Sequence, residues 1–95
     1  MPKDPTNEPQ QAPASPLVSL VSIAPHLRVV VERVAAGRRA TTRLAHLGVV
    51  PGTILVVAAR APAGGPLKIK FRGSYLAIGR GLAEKVLVRP VGAGE

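Results

Sequence analysis

The chain has no cysteine and no tryptophan, and its only aromatic residues are Phe71 and Tyr75. Without cysteine, no disulfide or thiolate metal site can form. With so few aromatics, a core has to be packed from Val, Leu, Ile and Ala, which supply most of the 46% hydrophobic content. Long apolar runs are missing as well. The longest near the start, residues 17–24, contains Ser19 and Ser22 and falls far short of the roughly 18 residues that span a bilayer. Its upstream flank holds Lys3 but also Asp4 and Glu8, which makes a poor signal peptide. The expectation is a soluble cytoplasmic protein with no direct membrane insertion. At 95 residues there is room for one domain with a thin core.

Negative charge is also scarce. Residues 17–89 contain twelve Lys and Arg, with Glu32 and Glu84 as the only acids, and the whole chain carries a net charge of +8. A basic balance favours anionic partners such as nucleic acid, a membrane surface or an acidic protein. The same excess also follows from composition, since nine Arg against four Lys accompany a sequence rich in Ala, Gly, Pro and Val. Charge is therefore read first as a solvated surface.

Residues 1–16, with five prolines and no apolar run, are expected to form a disordered Pro-rich tail. Residues 17–24 are too densely apolar to separate a helical turn from a strand. The β-branched run Arg28–Val34 predicts a strand. Residues 38–47 predict a helix, because Ala40, Leu44 and Leu47 fall on one face, and Thr41 or Thr42 could cap a shorter version of it. Leu44, Leu47, Val49 and Ile54 are read as core. At the helix end, Gly48 suits the left-handed C′ position, which makes Leu44 and Val49 the contacting pair of a Schellman motif. Val50-Pro51-Gly52-Thr53 then specifies a type II turn, and residues 53–60 continue as a strand. Leu67, Ile69 and Phe71 alternate with Lys68, Lys70 and Arg72, giving one buried and one cationic face. Gly73-Ser74 reads as a two-residue hairpin loop. Residues 75–78 return, 82–85 allow one helical turn, and 86–88 close the domain before a loose tail at 90–95. Five short strands and one short helix suggest a mainly β fold, a small closed or nearly closed barrel.

The run Arg43-Leu44-Ala45-His46-Leu47-Gly48-Val49-Val50-Pro51-Gly52-Thr53 resembles the signature of the FeoA family, roughly R-L-x-x-L-G-[IV]-x-P-G-T. Residues 62–71, 75–83 and 86–88 resemble the segments that follow it, so the resemblance covers residues 17–89. It implies an SH3-like barrel with a helix inserted after the first strand. The function it implies is that of a cytosolic accessory protein of bacterial ferrous iron uptake, acting with an FeoB-like membrane transporter that has a cytosolic GTPase domain, and recruited to the inner face of the membrane. The same domain occurs fused to iron-dependent repressors, so a transition-metal sensor is one alternative; a nucleic-acid-binding barrel is the other. The sequence departs from the family where Pro25 is followed by His26 instead of glycine, and where Gly79 separates Ile78 from Arg80.

No residue pattern points to catalysis. Gly79-Arg80-Gly81 lacks the third glycine and the βαβ setting of a dinucleotide site, and there is no phosphate-loop lysine motif. No Ser-His-acid series or carboxylate pair stands out. Iron(II) or zinc association would have to come from His26, His46, Glu32 and Glu84, which show no paired ligand spacing; His46 also suits the negative end of a helix dipole. No cofactor is called for. The candidates for partner binding are Lys68, Lys70 and Arg72 on one strand, and Arg43, His46 and Pro51 on the rim formed by the helix and its turn. The charge of the first group would equally keep a sheet edge from aggregating. Nucleic acid is disfavoured by the lack of aromatic platforms for stacking bases.

Overall fold

The computed structural model describes residues 16–91. The expected tails at 1–16 and 90–95 lie outside the described residues except for Pro16, Pro90 and Val91. The elements run β1 (Val18–Ser19), a 3-10 turn (Leu20–Ser22), β2 (Arg28–Val34), α1 (Arg38–His46), β3 (Ile54–Arg60), β4 (Leu67–Phe71), β5 (Ser74–Ile78), α2 (Arg80–Ala83) and β6 (Val86–Pro90). The segment that periodicity left open is both things in turn, a two-residue strand followed by a 3-10 turn. Ser19 makes the switch: its hydroxyl accepts from the Val21 amide at 3.3 Å and donates to the Ala83 carbonyl at 3.4 Å.

The strands form one six-stranded antiparallel sheet in the order β1-β6-β2-β3-β4-β5. The strands at the two ends of that order are not paired with each other among the described residues, so the barrel is nearly closed rather than closed. Alternation places Val29 and Val31 of β2, Leu55 and Val57 of β3, and Leu67, Ile69 and Phe71 of β4 inward. Leu20, Ile23, Leu44, Val49, Ile78, Ala83, Val86 and Val88 complete a single aliphatic core. Each fully buried Val, Leu or Ile stabilises the fold by about 1.5–3 kcal/mol.

Helix α1 begins one residue after Gly37, which supplies no side-chain cap. Neither threonine caps it, contrary to the expectation for Thr41 or Thr42; the Thr41 hydroxyl instead donates back to the Ala36 carbonyl at 3.2 Å. The helix end forms as predicted. Gly48 has φ +97°, the Val49 amide donates to the Leu44 carbonyl at 2.9 Å, and the Gly48 amide donates to the Ala45 carbonyl at 3.0 Å. This is the double hydrogen bond of the Schellman motif. The type II turn follows, with the Thr53 amide on the Val50 carbonyl at 3.0 Å and Gly52 at φ +98°. Thr53, the one buried polar residue of the described chain, joins the two. Its hydroxyl donates to the Gly48 carbonyl at 2.9 Å and accepts from the Val50 amide at 3.2 Å. The turn is also pinned to β2, because the Gly52 amide donates to the Val31 carbonyl at 2.7 Å and the Val31 amide to the Thr53 carbonyl at 2.8 Å.

Several expectations need correction. Leu47 and Ile54, read as core, are 47% and 45% exposed. Leu44 is the only buried residue of α1, because the helix presses on the sheet through its last turn. Ile54 opens β3 facing outward, since the next residue, Leu55, faces in. The β4–β5 loop is Arg72-Gly73, not Gly73-Ser74: Phe71 pairs with Ser74 across the hairpin. Arg72 and Gly73 lie at φ 54° and 76°, the double left-handed geometry of a type I′ turn. The second helical turn starts at Arg80 rather than at residue 82.

Candidate partner-binding face

Strand register builds a row of outward side chains. Arg28 of β2 is opposite Val56 of β3, Val56 is opposite Lys70 of β4, and Lys70 is opposite Tyr75 of β5. The neighbouring row pairs Val30 with Ile54. Because Val29, Leu55 and Ile69 are buried, strand alternation turns the first row to the outside of the barrel. Lys68 and Lys70 flank Tyr75, with ammonium groups 5.4 Å and 5.7 Å from the ring centroid, a distance that supports cation–π attraction.

At one end of this face lies a cleft of about 300 Å³. His26, Arg28, Lys70 and Arg72 supply its charged and titratable lining, and Ile54 and Val56 contribute apolar surface. His26 stands in a turn closed by the Leu27 amide on the Ala24 carbonyl at 3.4 Å, and its φ of 72° is that of position i+2 in a type II turn. The departure at Pro25-His26 is therefore a histidine in a backbone conformation that suits glycine.

The structure divides the predicted site residues between two places. Lys70 and Arg72 line the cleft together, and Lys68 shares the exposed face of β4 with Lys70. Arg72 does not share that strand face, as had been expected, because it belongs to the turn. Arg43 and His46 are exposed in the last turn of α1, with Pro51 exposed in the following turn. There they accompany the half-exposed Leu47 and the exposed Val50. His26 joins the cleft. Glu32, at the β2 bulge between Val31 and Arg33, pairs with Arg89 at 3.1 Å, and Glu84 lies 3.9 Å from Arg80 on the same helical turn. Among the described residues, no group of three or more His, Asp or Glu is placed to hold a metal ion. Arg28, Ile54 and Val56 were missed as site residues. They come from two strands, and the signal that links them to Lys70 is cross-strand register, which local spacing does not contain.

A six-stranded antiparallel barrel with one helix inserted after its first long strand is a small SH3-like domain. The FeoA domain family matches residues 18–90, and the chain belongs to that family. It is 42% identical over 60 residues, 63% of this chain and 71% of the relative, to a Methanocaldococcus jannaschii protein provisionally named Fe(2+) transport protein A. A crystal structure of an iron uptake regulatory protein, FeoA, superposes with a TM-score of 0.69 at 32% identity, covering 79% of this chain and 97% of the other. The solution structure of the FeoA protein from Chlorobium tepidum gives 0.74 at 32% identity, over 79% and 71% of the two chains. A manganese-dependent transcriptional repressor shares the fold at a TM-score of 0.74 and 21% identity, over 85% of this chain and 45% of its own.

Proposed function

We propose that this chain is an accessory protein of ferrous iron uptake that acts by binding the cytosolic part of an FeoB-type membrane transporter. The observation that carries this reading is the family match over residues 18–90, with relatives named for Fe(2+) transport and iron uptake. The protein works in the cytoplasm, at the inner face of the membrane, by docking rather than by catalysis. No described helix is long and apolar enough to cross a membrane, which suits recruitment through a partner. Two surfaces fit such a role: the rim of Arg43, His46, Leu47 and Pro51, and the basic sheet face around Lys70.

The test is capture of the detergent-solubilised transporter by the purified chain, together with growth of a deletion strain under iron limitation. Co-purification and a growth defect restored by the intact gene are expected. If the transporter is not captured and uptake is unchanged in the deletion strain, the reading fails.

A further inference from the structure

We infer that the cleft between the Pro25-His26 turn and the Arg72-Gly73 turn is a docking site for an acidic, partly apolar peptide segment of a protein partner. The inference rests on the reading of this chain as a binding protein and names the surface and the chemistry that such binding uses.

Charge is the first argument. Among the described residues, the four charged or titratable side chains that line the cleft are His26, Arg28, Lys70 and Arg72, and no acid lines it. Both acids of the described chain are engaged elsewhere, Glu32 with Arg89 and Glu84 with Arg80. Neither of these acids offsets the positive potential of the cleft, and clefts lined by one sign of charge concentrate ligands of the other.

The backbone supplies the second argument. Among the described residues, three non-glycine residues have positive φ, and two of them, His26 and Arg72, line this cleft. A left-handed conformation is strained for an ordinary L-residue, and glycine or asparagine would fill either turn with less strain. Strain of this kind persists where the surrounding structure holds it, and it collects at ligand clamps. Here it holds an imidazole and a guanidinium at the cleft, on two separate turns.

The lining decides what kind of anion fits. Ile54 is exposed and lines the cleft with Val56, alongside Arg28, Lys70 and Arg72. An inorganic phosphate makes no use of that surface. Proteins that bind single-stranded nucleic acid add an open aromatic face on which bases stack. Phe71, the aromatic residue that lines the cleft, is only 8% exposed, and Tyr75 does not line it. A peptide that alternates carboxylate and aliphatic side chains satisfies both the cations and the apolar floor.

The experiment titrates the isotope-labelled full chain with a peptide alternating Glu with Leu and Val. The same peptide with Gln in place of Glu, inorganic phosphate and a single-stranded DNA oligonucleotide serve as comparisons. The acidic peptide should shift the amides of residues 26–28, 54–56 and 70–73 saturably, with affinity that falls as salt is added. Lys70→Glu with Arg72→Glu should weaken binding about tenfold or more. Ile54→Ser, which leaves the charge alone, should weaken it less, and it keeps the test valid if the double variant fails to fold. Equal binding of the Gln peptide, shifts confined to other residues, or a response to phosphate or DNA alone would overturn the proposal. If the chain ignores the peptide yet still captures the transporter, the cleft is overturned and the proposed function stands; peptide binding without transporter capture does the reverse.

Discussion

Gly48 lies directly against the ring of Phe71: a Cβ at Gly48 would come within 3.1 Å of Phe71 Cε2. The residue that stops α1 is thus also the contact that seats the helix end on the last residue of β4. Gly48→Ala has to accommodate both a positive φ and a displaced ring. We expect it to destabilise the domain by about 2 kcal/mol or more, measured as a lower urea midpoint. Gly81→Ala is the control. That glycine sits inside α2 with open space around it, and the substitution should stabilise by about 0.4–1 kcal/mol.

Thr53→Val should cost about 0.5–1.5 kcal/mol for each hydrogen bond lost, because it leaves the part-buried Gly48 carbonyl and Val50 amide without the hydroxyl that serves both. Thr53→Ser keeps the hydroxyl and should retain most of the stability. Equal losses in the two variants would show that the methyl group, not the hydrogen bonds, is what matters.

Leu44→Ala and Leu47→Ala should separate sharply in denaturant unfolding. The first empties a buried site and should cost about 2–5 kcal/mol. The second removes a half-exposed side chain and should stay within about 1 kcal/mol. On the proposed function, only the second would weaken transporter capture without loosening the fold.

Arg72→Asn should raise stability by about 1 kcal/mol, since Asn-Gly is the favoured pair for a type I′ loop. It should at the same time weaken binding of an acidic peptide. His26→Gly should act in the same direction on both measurements. A stability gain with unchanged binding would separate the backbone strain from the ligand site.

The readable parts of this fold are those governed by neighbours in sequence. Leu44, Gly48 and Val49 specify the helix stop through local hydrogen bonds, and Pro51-Gly52 specifies the turn that follows. Lys68 and Lys70 between Leu67, Ile69 and Phe71 specify a strand with one wet face. Burial of Leu47 and Ile54 could not be read in the same way. Helical spacing groups Leu47 with Leu44 but does not say how far around the helix its neighbours reach. In β3 both faces are apolar, so period-2 alternation cannot choose whether Ile54 or Leu55 points in. The hairpin loop was misplaced by one residue because an arginine in the left-handed region is an exception that composition does not announce. The cleft was the least legible feature. Its residues come from two turns and three strands, and only Lys70, Arg72 and the Pro25-His26 departure marked it locally.

One consequence of the sheet order concerns the two ends of the described domain. Val18 pairs with Val88 in antiparallel strands, so the first and last strands leave the barrel on the same side, about 5 Å apart. A domain built this way can be spliced as a cassette into a loop of another protein with little stretching of the host. It can also be circularly permuted, with a short linker joining the ends and a new opening in the exposed Ala63-Gly64 loop.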